Sequence, residues 1–160
     1  MTILNIILMY MKSLILIITL STFTTLLGEG KPTCPLMLGD DVDVQETSTI
    51  LGKKIEFCCG SCVTKFEENK AYYIRVSGAL SKLFSDEEKQ QLKVYDIQLL
   101  KQVRCPVYPD RLINPNSKYS IYKQKKVYFW SSSAKRRWDR SPDKYFEIAT
   151  AKKLLPQFND

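Results

Sequence analysis

The chain has 160 residues, 44% hydrophobic and 26% charged, with 24 Lys plus Arg against 17 Asp plus Glu. That composition belongs to an ordinary globular protein rather than a disordered, collagenous or multi-span membrane chain. Histidine is absent, which excludes Ser-His-Asp triads, Cys-His nucleophile pairs and HExxH zinc chemistry, so any transition metal must be held largely by cysteine.

In chain order, residues 1–30 read as a signal peptide or N-terminal anchor. From Met11, which offers an alternative start, a basic Lys12 precedes the apolar Leu14–Ile18 core and a small, polar stretch running to Gly28, the order of a secretory signal. Export, to a periplasm or to the outside, follows from that reading. The mature chain then opens with Cys34-Pro35-Leu36-Met37. Thr47 to Leu51 and Lys54 to Phe57, around a Gly52-Lys53 turn, predict a hairpin, and Gly60 to about Asn69 predicts a helix with Cys62 and Phe66 on one face. These elements make a first unit over residues 31–80. Next, Ser85-Asp86-Glu87-Glu88 reads as a capping box. The Leu92, Tyr95, Leu99, Val103 stripe after it predicts a linking helix within residues 81–104.

Residues 105–160 repeat the first unit's code. Cys105-Pro106-Val107-Tyr108 echoes the opening at an offset of 71 residues, and Lys125-Lys126-Val127-Tyr128-Phe129 echoes Lys53-Lys54-Ile55-Glu56-Phe57 at 72. Tyr119 to Tyr122 and Lys126 to Trp130 predict a second hairpin, and Ser132 to about Arg140 a second helix. The fold expected is therefore α+β: two small hairpin-plus-helix units, of treble-clef or zinc-ribbon type, joined by a helix, and read as a tandem duplication.

The two units differ in their chemistry. The first holds Cys34 and Cys58-Cys59-Gly60-Ser61-Cys62; the second keeps only Cys105 and has Trp130-Ser131-Ser132-Ser133-Ala134 at the matching positions. Thiols at a hairpin end and a helix start suit a soft or borderline metal, because the helix N-terminus favours thiolate charge. A unit of this size also buries little apolar surface without such a clip. In the second unit Phe129, Trp130, Trp138, Tyr145 and Phe146 offer an aromatic core instead. Two other readings of the cysteines stand beside metal binding. One is a set of structural disulfides, favoured by an oxidising compartment. The other is a dithiol oxidoreductase using Cys59-x-x-Cys62 ahead of a helix, although a thioredoxin-like βαβ pattern is missing around it.

On these residues the first unit resembles the YHS domain and its relative the TRASH domain, small cysteine modules associated with heavy-metal sensing, trafficking and resistance. The resemblance covers about residues 34–76, and more weakly 105–147. The family's spacing, a cysteine, a gap of twenty-odd residues and Cys-x3-Cys, falls on Cys34, Cys58 and Cys62, with a first gap of 23 residues. Cys59 matches the second cysteine of a Phe-Cys-Cys variant. The resemblance implies one zinc or copper ion bound by Cys34, Cys58 and Cys62, with Cys59 as fourth ligand or exchange thiol. With no general acid, base or substrate pocket legible in the sequence, binding, buffering or delivery is expected rather than catalysis, with a metal-delivery protein as partner.

The remaining charged groups read as surface. Asp40, Asp41 and Asp43 read as a solvated loop, since a thiolate-preferring metal does not select oxygen. Lys135-Arg136-Arg137 beside Trp130 and Trp138 superficially suggests nucleic-acid stacking, but export argues for no nucleic-acid partner. Residues 105–160 carry 12 basic and 5 acidic side chains, which allows weak contact with an anionic membrane surface. Cys105 reads as a leftover buried thiol or as a bridge to the first unit.

Overall fold

A computed structural model describes residues 31–159; the expected targeting segment at residues 1–30 lies outside them. Strands β1 (Asp43–Ile50) and β2 (Lys53–Phe57) form an antiparallel hairpin with Ile50 opposite Lys53. The turn is therefore Leu51-Gly52, one residue earlier than expected. Both turn residues have positive φ, 49° and 76°, the backbone that matches the twist of a two-residue hairpin. On β2 the alternate residues Ile55 and Phe57 are buried, as a strand with one face on the core requires. Helix α1 (Gly60–Glu68) starts three residues beyond β2 and presents Cys62 and Phe66 to the core. Asn69 interrupts it, and α2 (Lys70–Val76) and α3 (Gly78–Leu83) follow. Ser77 caps α3 by accepting from the Leu80 N–H, and its hydroxyl donates to the Pro35 carbonyl at 3.0 Å. This bond ties α3 to the loop that carries Cys34.

Helix α4 (Asp86–Gln91) has the expected capping box, with Ser85 and Glu88 exchanging both bonds. It does not continue along the Leu92, Tyr95, Leu99, Val103 stripe, which corrects the long linking helix. Lys93 takes φ 54°, and the Val94 and Lys93 N–H groups bond the Lys89 and Gln90 carbonyls. That is the closed C-terminal motif that ends a helix and folds an apolar residue back under it. Val94, between the stripe positions, is the residue buried, while Tyr95 and Leu99 are exposed.

The second half repeats the local structure of the first. Strands β3 (Lys118–Tyr122) and β4 (Lys125–Phe129) pair around Lys123-Gln124, then α5 (Ser132–Arg140), an interruption at Ser141 and α6 (Pro142–Ala151). The bond from the Asn69 N–H to the Phe66 carbonyl recurs from Ser141 to Trp138, both at 3.0 Å. Phe129 and Trp138 pack as a tilted pair at 5.5 Å between ring centroids, and Tyr122 meets Trp138 edge-on at the same distance. The side chain of Gln102, itself buried, closes the free edge of β4, accepting from the Tyr128 N–H and donating to the Tyr128 carbonyl. The architecture is thus mixed α+β, with two antiparallel hairpins and six helices among the described residues. None of these helices is long and apolar enough to cross a membrane.

Candidate metal centre

Residues 34–41 form a tight loop in which the Cys34 N–H bonds the Asp40 carbonyl at 2.8 Å and the Asp40 N–H bonds the Met37 carbonyl at 3.2 Å. The loop turns the Leu36 and Met37 N–H groups onto the Cys34 sulfur, and the Cys58 N–H joins them. It is held in place by residues 110–112: the Leu112 N–H bonds the Leu36 carbonyl, and the Leu38 N–H bonds the Asp110 carbonyl. Cys58 and Cys59 arrive at the end of β2, and Cys62 from the first turn of α1. Gly60 opens that helix where a Cβ would lie 3.2 Å from the Glu46 carboxylate. Glu46 lies within the register shift of β1 between Asp43 and Thr47.

The sulfurs of Cys34, Cys58 and Cys62 all lie within 4.8 Å of one another. Cys58 and Cys62 are 3.6 Å apart, and Cys59 is 3.6 Å from Cys62 and 3.8 Å from Cys58. All five cysteines are free thiols. A disulfide requires sulfurs at about 2.05 Å, whereas a zinc–sulfur bond of about 2.3 Å sets neighbouring ligand sulfurs about 3.8 Å apart in a tetrahedron. The observed spacing is close enough for Cys34, Cys58 and Cys62 to hold one ion. Cys34 and Cys62 are fully buried, and Cys58 and Cys59 are half-buried at the rim.

Protonation is uneven across the cluster. A hydrogen bond from the Cys62 thiol, together with the backbone N–H groups of Cys58, Leu36 and Met37, outweighs burial and brings Cys34 down to about 5. Cys62 is pushed up, first by that same bond to Cys34 and then by burial. Cys58 is pushed up to about 12 by burial and by its bond to Cys34. Burial raises Cys59 too, but bonds from Ser61 and from Cys62 prevail and lower it overall. The ring of donors therefore favours the thiolate at Cys34.

No family model, curated protein or solved structure matches this chain. The function therefore has to be read from the cluster and from its counterpart in the second half. There the Cys105 N–H bonds the Arg111 carbonyl at 2.9 Å, and the N–H groups of Trp130, Tyr108 and Val107 point at the Cys105 sulfur. This is the Cys34 ring with every donor displaced by 71 or 72 residues. Trp130 and Ala134 occupy the positions of Cys58 and Cys62, both buried, and Cys105 remains a buried thiol whose ionisation burial suppresses. Cys105 joins no thiol group.

Other expected features fall outside the centre. Asp40, Asp41 and Asp43 are exposed and belong to no ligand cluster among the described residues. Trp130 and Trp138 are core residues and present no face for stacking. Lys135 pairs with Asp139 at 2.6 Å, and Arg137 lies over the Tyr108 ring. One residue near the centre carried no role in the sequence reading: the Met37 thioether sulfur is 3.6 Å from the Cys58 sulfur. The available signal was its position at the end of the Cys-Pro-Leu-Met motif, where the second half has Tyr108.

Proposed function

We propose that this chain is a metal-binding protein similar to YHS and TRASH modules, which binds, buffers or delivers one soft or borderline ion, copper or zinc, through Cys34, Cys58 and Cys62. The observation that carries the reading is three unpaired sulfurs within 4.8 Å of one another, contributed by a tight loop, a hairpin end and a helix start, an order of parts that supports a treble-clef-like site. The donor chemistry fits such an ion, because thiolate is the preferred ligand of Cu(I) and of structural zinc. The half-buried rim suits delivery. Cys59 there is positioned to enter the coordination sphere as an inner ligand leaves, passing the ion on without releasing it to water. The second half, a degenerate copy in this reading, serves as scaffold, since residues 110–112 hold the Cys34 loop. An exported setting, with residues 1–30 as signal or anchor, completes the proposal.

Elemental analysis with free-thiol counting, on protein purified from its own compartment without a polyhistidine tag, tests this. The expected result is about one equivalent of copper or zinc, with thiols that become reactive only after chelation. Metal-free protein with Cys59 and Cys62 oxidised to a disulfide would replace this reading with a dithiol oxidoreductase, the 3.6 Å approach of those sulfurs then being its reacting geometry.

A further inference from the structure

The metal-site reading leaves open which ion the centre selects, and Met37 bears on that choice. Its sulfur touches the Cys58 sulfur at 3.6 Å, the same separation that Cys58 keeps from Cys62. Its own backbone N–H is one of the donors to the Cys34 sulfur, so the loop that seats the first ligand also sets Met37 beside the cluster. Met37 is 9% exposed, on the buried side with Cys34 and Cys62. Cys59, the competing fourth sulfur, lies at the rim and is hydrogen-bonded to the Ser61 hydroxyl at 3.1 Å. Where Cys58 and Cys62 give way to Trp130 and Ala134, the thioether is missing too: Tyr108 stands at the matching position of the second half. Met37 is also the only methionine beyond residue 11.

A methionine in a core often serves as adaptable packing, and packing alone asks nothing of the metal. A thioether ligand does. It is neutral and soft, a donor that favours Cu(I) and has little to offer zinc, whose closed sites are built from thiolate and imidazole. Resting on the reading of the cluster as a metal site, we propose that Met37 is a thioether ligand and that, with Cys34, Cys58 and Cys62, it makes the centre selective for Cu(I) over zinc.

The test uses the full chain labelled with selenomethionine and loaded anaerobically with Cu(I), studied by X-ray absorption at the selenium and copper edges, alongside Met37→Leu. Copper affinity is read by competition with bicinchoninate and zinc affinity by competition with a chromogenic zinc chelator. The expected result is copper–selenium scattering that disappears in Met37→Leu. Copper affinity should fall by at least about tenfold, the lower end of what loss of even an outer partner costs a metal site, with zinc affinity within about twofold of wild type. Copper bound without selenium scattering, and equally well by Met37→Leu, would overturn the inference and leave the thiol site standing. Failure of wild type to bind either ion would remove the metal reading and the inference together. Should Met37→Leu fail to fold, the selenium spectrum of the wild type still decides between ligand and packing.

Discussion

Replacing Cys62 with alanine separates the metal site from the fold that carries it. The second half already has Ala134 at this position, fully buried on the inner face of α5, so the backbone accepts alanine there. Deleting one buried sulfur should cost the metal-free protein about 1 kcal/mol, the scale of a small core truncation, and about 1.5–3 kcal/mol more for the hydrogen bond it gives the Cys34 thiolate. Its effect on the loaded protein should be larger still. With free metal at about 100 times the dissociation constant, binding stabilises the folded state by about 2.7 kcal/mol. A domain of this size gains about 4 °C in melting temperature per kcal/mol, so wild type should rise by about 10 °C. Loss of one of three thiolates, taken as at least about a hundredfold in affinity, brings metal and dissociation constant level and leaves about 0.4 kcal/mol, or about 2 °C. Thermal melts followed by circular dichroism, with and without buffered metal, measure both. A full metal shift retained in Cys62→Ala would refute the reasoning.

Other expectations follow from the same structure. Near neutral pH Cys34 is ionised at about 5 while Cys58, at about 12, and the raised Cys62 keep their protons, so binding should release about two protons and affinity should climb about a hundredfold per pH unit; pH-stat titration giving three would show that Cys34 is not ionised beforehand. Ser131 caps α5 by accepting from the Ala134 N–H, whereas Cys59 at the matching position makes no such bond, so Ser131→Ala should cost about 1 kcal/mol in chemical denaturation with metal binding unchanged. Gln124 sits at φ 64° where the first hairpin has Gly52, and Gln124→Gly should therefore stabilise the chain by about 0.5–1 kcal/mol, seen as a higher urea midpoint.

Local codes were legible in the sequence where they were complete. The hairpins, α1, α5 and the α4 capping box form where patterning and capping predicted them, because each is specified by neighbours a few residues apart. The helix after Leu92 was misread because its stripe is apolar at helical spacing, yet the core takes Val94, and Lys93 turns the chain to put it there. That decision is tertiary and leaves no periodic trace. Trp130 likewise reads as the end of a strand but leaves β4, ending against Lys65 of the first half at 4.8 Å from the ammonium to the ring. For the centre, the resemblance to the YHS and TRASH spacing singled out Cys34, Cys58 and Cys62, with Cys59 as fourth ligand or exchange thiol, and a loop, a hairpin end and a helix start bring the first three together. What spacing could not reveal was the Met37 contact, which depends on the turn of the Cys34 loop, or the support of that loop by residues 110–112, far along the chain.

Crystals of the metal-loaded full chain, with diffraction recorded at the absorption edge of the bound ion, test the central claim most directly. One anomalous peak is expected, within about 2.3 Å of the sulfurs of Cys34, Cys58 and Cys62 and absent beside Cys105. A peak elsewhere, or those three cysteines joined in disulfides with no peak among them, would contradict the account.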